Sequence, residues 1–75
     1  MIDVNQAVKL ASDYLRSLYS GEASDIRLEE VVSPKEAPPR WRVTLSFARF
    51  PDREYKEFEI DADTGAVNAM RMVKV

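Results

Sequence analysis

Cysteine and histidine are both absent from this chain of 75 residues. Without cysteine, neither a disulfide framework nor a thiolate metal site can supplement the hydrophobic core. Without histidine, the chain lacks the commonest general base and metal ligand, and its serine hydroxyls have no imidazole to activate them. We therefore expect a protein that is not an enzyme, with no catalytic, cofactor-binding or metal-binding residue.

The chain also lacks a dominant sign of charge and a long apolar run. Eleven basic and 13 acidic residues give a net charge of −2, which argues against a nucleic-acid-binding face. No apolar run approaches about 18 residues, and the N-terminus has no basic segment, so we expect neither a membrane span nor a signal peptide. This predicts a cytoplasmic protein without a membrane partner, or an exported one if a signal peptide has been removed.

An amphipathic helix is predicted over residues 4–19, with Asp3 as its N-cap and Gln6 completing a capping box. Apolar residues recur there at spacings of three and four, which places them in one stripe. The stripe consists of Val4, Ala7, Val8, Ala11, Tyr14, Leu15 and Leu18. Gly21 stands where a glycine commonly ends a helix.

Alternation of apolar and polar residues predicts four strands. They span about residues 25–33, 40–50, 54–62 and 66–74. The alternation of the first strand breaks at Glu30, which suggests a bulge of the kind common in edge strands. Residues 34–39 contain three prolines and are predicted to form a loop.

A loop over residues 50–53 would fix the pairing of the second and third strands. The facing pairs on the apolar side are then Leu45 with Phe58, Val43 with Ile60 and Trp41 with Ala62. On the polar side they are Arg42 with Asp61 and Thr44 with Glu59. A slip of one residue would turn Phe58 and Ile60 toward solvent, which disfavours it.

The last strand follows a predicted tight turn at residues 61–65, where Gly65 suits a left-handed conformation. One pairing sets Arg71 opposite Glu57 and places two side chains on the apolar side, Met70 and Met72. The opposite parity would instead bury Val67, Ala69 and Val73. We favour the first pairing because it forms an ion pair.

These elements predict an α+β fold in which one N-terminal helix packs on a four-stranded antiparallel β-meander. The helix stripe would meet an apolar sheet face made of Trp41, Val43, Leu45, Phe58 and Ile60. A chain of this length has room for one domain, which we place over residues 1–75.

The hairpin carries a recognisable order of residues. An aromatic residue opens the alternating strand at 41–45, and the segment 57–67 ends a strand with Ile60-Asp61-Ala62 before Gly65 and a hydrophobic residue. With the preceding helix, this order resembles the PepSY domain family over most of the chain. The resemblance implies a small helix-on-sheet fold, comparable to cystatin-like folds, without catalytic residues. It also implies inhibition or modulation of a peptidase, in a family found mostly in exported or membrane-anchored proteins and protease propeptides.

The acidic residues of the hairpin admit two further interpretations. Asp61 and Asp63 alternate as in a calcium loop, but Gly65 and Met72 stand where an EF-hand supplies oxygen ligands, so we interpret the segment as a structural turn. The carboxylates along the third strand could perform acid–base chemistry, but they face arginine and threonine side chains and are interpreted as a charge-paired surface. They are Glu57, Glu59 and Asp61.

Arginines and aromatic residues are interleaved along the same hairpin, a pattern that stacks on single-stranded nucleic acid in other proteins. The predicted faces, however, separate Trp41 and Phe47 from Arg42, so these rings are assigned to the core. We therefore do not expect nucleic acid as a partner.

The candidate interaction surface consists of Phe50, Tyr55, Val67, Ala69, Arg71 and Val73. All but Phe50, at the hairpin tip, are predicted on the outer sheet face. The leading hypothesis is a non-enzymatic module that binds a protein, a peptide or a second copy of the chain through this face or the edge strand 65–75. The alternative is a stand-alone intracellular adaptor or immunity-type protein that binds its partner by β-augmentation. A modest apolar patch on a monomer is an equal alternative for the outer face.

Overall fold

The computed structural model describes residues 1–73 and contains one helix, α1 (Val4–Tyr19), packed on a four-stranded antiparallel sheet. The strands are β1 (Ser24–Val32), β2 (Arg40–Arg49), β3 (Asp52–Asp61) and β4 (Val67–Met72). Their order in the sheet is their order in the chain. The predicted α+β fold and its meander are confirmed. Lys74, to which the predicted last strand extended, lies outside the described residues.

The helix begins at the predicted cap. Asp3 is extended, and its Oδ1 accepts a hydrogen bond from the N–H of Gln6 at 2.8 Å, while Gln6 Oε1 accepts one from the N–H of Asp3 at 2.8 Å. This capping box satisfies two of the N–H groups that a helix start leaves unpaired. The helix ends at Ser20, which is left-handed (φ 37°), followed by Gly21 (φ 88°).

The hydrophobic core lies between α1 and the sheet face that it covers, which we call the inner face. Its fully buried members are Ala7, Ala11, Leu15, Val43, Leu45, Phe47, Phe58 and Ile60. A helix is about 10 Å wide and strands lie about 4.8 Å apart, so one helix covers only about two of four strands. Val4 and Leu18, predicted in the buried stripe, are nearly half exposed because they lie outside this contact.

The predicted pairing of β2 with β3 is wrong by two residues. Phe50 and Pro51 alone form the loop, so Arg49 faces Asp52. The inner pairs are Trp41 with Ile60, Val43 with Phe58 and Leu45 with Lys56, and the outer pairs include Arg42 with Glu59 and Thr44 with Glu57. The loop is shorter than predicted. Because side chains alternate with a period of two, the shift leaves every side chain on its predicted face.

β4 keeps its predicted pairing at Arg71, which faces Glu57. Toward its start, an extra residue at Asn68 shifts the register, so that Val67 faces Ile60 and packs against the core. The prediction that Val67 lies on the outer face is wrong because this bulge turns its side chain to the inner face.

β1 carries the irregularity that the sequence predicts. Its register against β2 shifts between Ser24 and Arg27 and again between Leu28 and Glu30. Asp25, within the first shift, has a left-handed backbone (φ 48°). This edge of the sheet is therefore interrupted twice in nine residues.

Candidate functional site

Glu59 is the centre of an ion-pair network on the outer face of the sheet. It lies opposite Arg42 and is only 4% exposed. Its carboxylate accepts hydrogen bonds from Arg71 Nη2 at 2.6 Å and Arg40 Nη1 at 2.7 Å, and Arg71 Nη1 also donates to Glu57 at 2.8 Å. The bond from Arg71, followed by that from Arg40, holds the pKa of Glu59 below its usual range. Arg71, a member of the predicted interaction surface, is thus bound within the chain.

A second polar network crosses β1, β2 and β3 at the other end of the outer face. Arg53 Nε donates to Ser46 Oγ at 3.0 Å, and Arg53 Nη1 donates to Asp25 Oδ2 at 3.2 Å. The fully buried Ser46 hydroxyl donates in turn to Glu29. The outer face therefore presents charges that are largely satisfied within the chain.

The other members of the predicted interaction surface are divided among the outer face, the inner face and a hairpin tip. Tyr55, Ala69 and Val73 lie on the outer face and are half-buried. Val67 packs on the inner face, and Phe50 is 99% exposed at the tip of the β2–β3 hairpin. These side chains do not form one apolar patch.

The acidic turn after β3 is stabilised by backbone hydrogen bonds to the carboxylate of Asp61. Asp61 Oδ1 accepts hydrogen bonds from the N–H groups of Asp63 at 2.8 Å and Thr64 at 2.9 Å. These bonds, that of Thr64 first, lower the pKa of Asp61. Gly65 follows with φ 79°. In residues 1–73, no group of three or more acidic side chains is arranged to hold a metal ion.

The aromatic rings of the β2 strand make contacts within the chain. Phe47 is fully buried, and Trp41 Nε1 donates a hydrogen bond to the carbonyl oxygen of Ile2 at 3.1 Å. The Arg49 guanidinium lies 5.1 Å from the ring centroid of Tyr19. Stacking on nucleic acid bases would require these rings to leave their contacts.

The edge of the sheet at β4 presents unpaired backbone groups. Within residues 1–73, no strand pairs with the side of β4 that faces away from β3. The N–H of Val73 donates to the carbonyl oxygen of Tyr55 at 3.0 Å. Since hydrogen-bonded and non-hydrogen-bonded pairs alternate along an antiparallel ladder, the N–H and C=O groups of Met70 and Met72 point away from β3.

Three exposed apolar side chains lie along this edge, and we call them the β4 strip: Tyr14, Met70 and Met72. The Tyr14 ring packs edge-on against Phe58, with 6.0 Å between centroids, and Phe58 faces Met70 across the ladder. Met70 and Met72 are on the predicted face but are 37% and 67% exposed. One helix is too narrow to cover four strands, so the predicted elements alone indicate that some side chains on the inner face stay exposed.

No protein-family model, curated protein or solved structure matches this chain at a significant level. Within residues 1–73, no helix has the length and apolar character needed to cross a membrane. The geometry of β4 and the β4 strip is therefore the observation from which a function can be inferred.

Proposed function

We propose that this protein is a non-enzymatic interaction module that binds an extended segment of a partner protein along β4. The added strand would be antiparallel or parallel to β4 and would bond to the outward N–H and C=O groups of Met70 and Met72. The observation that carries the proposal is the coincidence of these unpaired groups with the exposed β4 strip.

The chemistry of the edge specifies the segment. Side chains alternate across a strand, so every second residue of an added strand would lie beside Met70 and Met72 on the inner face. Those residues should be apolar, because they would cover the β4 strip and remove its exposed surface from water. The intervening residues would lie beside Arg71 on the outer face and should be polar or acidic.

The outer face is the weaker candidate for this role. Its central carboxylate, Glu59, is already bonded to Arg40 and Arg71. A partner docking there would have to displace these ion pairs or leave them desolvated. An added strand at β4 has neither cost.

The resemblance to the PepSY family supports a peptidase as the partner. If a peptidase is encoded beside this gene, the chain should change its rate of hydrolysis of a peptide substrate, and a variant with a blocked β4 edge should not. The resemblance is the sole support for this choice of partner.

The edge can be tested with a capped heptapeptide in which valine alternates with threonine between glutamate ends. We expect saturable amide shifts in β4 and slowed hydrogen exchange at Met70 and Met72. Met70→Pro should abolish binding because it removes one outward N–H without breaking a bond to β3. Met70→Leu keeps that N–H and the apolar side chain and should bind as the wild type does.

Equal binding by the proline and leucine variants, or shifts outside β4 and the β4 strip, would contradict the proposed edge. Sedimentation of the two variants over a hundredfold range of concentration tests whether a second copy is the occupant. If Met70→Leu forms a dimer and Met70→Pro does not, the binding site is the β4 edge and its partner is a second copy of the chain.

A further inference from the structure

A concave surface lies near the edge of the sheet opposite β4, where the chain leaves β1 and enters β2. The loop 33–39, with its three prolines, closes one side of it. The cavity has a volume of about 310 Å³. Its walls are formed by Val32, Ser33, Lys35, Glu36, Arg40 and Arg42.

The walls of this cleft are positively charged although the whole chain carries −2. Three lining residues, Lys35, Arg40 and Arg42, are cationic and one, Glu36, is acidic. The acid lies 3.5 Å from Arg42, at the outer limit of a hydrogen bond, and both side chains are about half exposed. Among residues 1–73, Lys35 has no carboxylate within 4.0 Å. The positive charge is therefore only partly neutralised.

One of the cations is fixed in place by the sheet beneath it. Arg40 Nη1 donates to the nearly buried Glu59 at 2.7 Å, and the buried Arg40 Nε has no hydrogen-bond partner within the described residues. Arg42 lies two residues further along β2 and so projects from the same face. Lys35 comes from a loop in which prolines restrict the backbone. A ligand would find Arg40 already held in position, which lowers the entropic cost of binding.

We propose that this cleft binds a small molecule carrying two negative charges on oxygen, as a phosphate group or a pair of carboxylates. The exposed guanidinium of Arg42 can bind a carboxylate or phosphate through two parallel hydrogen bonds, and Lys35 supplies a second, mobile positive charge. Glu36 is the internal competitor for Arg42 and moves aside when the ligand enters. The volume, at the lower end for ligand sites, suits a small ligand.

This site is independent of the proposed function, because the cleft is formed by β1 and β2 and the partner edge by β4. A ligand here would contact neither Met70 nor Met72. Met70→Pro should therefore leave anion binding unchanged, and Arg42→Gln should leave peptide binding unchanged.

The test is a titration of the ¹⁵N-labelled full chain with inorganic phosphate and with succinate at constant ionic strength. We expect saturable amide shifts within residues 32–42. Saturation by phosphate alone or by succinate alone identifies the preferred anion. Shifts that do not saturate, or that sodium chloride or neutral succinamide reproduces, would overturn the proposal.

Two pairs of variants separate a built site from general surface charge. Arg42→Gln should weaken binding at least tenfold, whereas Arg16→Gln, with the same loss of charge on the exposed side of α1, should leave the affinity unchanged. Glu36→Gln should tighten binding about threefold to tenfold by removing the competitor for Arg42, and Glu22→Gln should not. Equal effects within either pair would overturn the proposal, provided that amide shifts outside the cleft show each variant folded.

Discussion

Glu59 illustrates how one residue can connect three strands. Its side chain lies on β3 and accepts hydrogen bonds from Arg40 on β2 and from Arg71 on β4. Each bond joins full charges and is stronger than a bond between neutral groups. Without the carboxylate, Arg71 would keep its bond to Glu57, whereas Arg40 would lose its ion pair with Glu59.

Glu59→Gln should therefore destabilise the protein by about 2 kcal/mol, because two charge-assisted bonds are weakened where little water can replace them. The free energy of unfolding in urea measures the effect. Glu57→Gln is the matched control: its carboxylate is more exposed and bonds to Arg71 alone, so its loss should cost about 0.5 kcal/mol or less. Similar losses in the two variants would show that the central position of Glu59 is unimportant.

The sequence predicts only half of this network. The alternation of β3 and β4 pairs Arg71 with Glu57, and the structure confirms that contact. The link from Arg40 to Glu59 escaped prediction because the pairing of β2 with β3 depends on the length of one loop. An arginine can also reach a carboxylate that is not directly opposite, and alternation alone gives no sign of that choice.

At the scale of elements, the turn between β3 and β4 packs against α1. Gly65 has φ 79°, and a Cβ atom added there would lie 3.2 Å from Leu10 Cδ1. Leu10 is partly buried against the core, so it has limited freedom to retreat. The turn and the helix are therefore packed at close range.

Gly65→Ala should lower the free energy of unfolding by about 2 kcal/mol, from strained left-handed backbone together with the crowding of Leu10. Gly21→Ala is a matched control, since Gly21 has φ 88° and no atom within 4 Å of the added Cβ. It should cost only about 1 kcal/mol, the backbone contribution. If the two variants lose the same free energy of unfolding in a urea titration, the Leu10 side chain moves aside at little cost.

The elements themselves follow from the sequence, and their details follow less well. The capping box and the apolar spacing give α1 its predicted bounds, and alternation gives each strand its faces. The two-residue loop at Phe50 and the bulge at Asn68 were not predicted, since neither position carries a glycine that would mark the change. The bulge matters most for the candidate site, because it removes Val67 from the predicted outer surface.

At the scale of the whole molecule, several carboxylates make stability depend on pH. Hydrogen bonds lower the pKa of four carboxyl groups. The main donor is Lys9 for Asp13, Arg27 for Asp25, Arg71 for Glu59 and the Thr64 N–H for Asp61. A carboxylate whose pKa is lower in the folded than in the unfolded state stabilises the fold above its unfolded pKa. That contribution is lost as the pH falls through the folded pKa.

The urea midpoint should therefore be steady near neutral pH and fall progressively below about pH 4, where unfolded carboxylates become protonated. Circular dichroism at a series of pH values would measure it. Glu59→Gln should show a smaller fall than the wild type, because one of the responsible groups no longer titrates. A midpoint that rises on acidification would be inconsistent with these ion pairs.

The contrast between the two sheet edges limits how far copies of this chain could assemble. A β-polymer can grow without limit only if each added chain presents a second free strand edge, opposite the edge through which it has joined. β4 is regular from Ala69 onward, whereas β1 is broken twice and bears Arg27, Glu29 and Glu30. Joining through β4 would leave only such interrupted ends exposed. Any self-association should thus terminate at a pair, and fibrils should be rare even in concentrated solution.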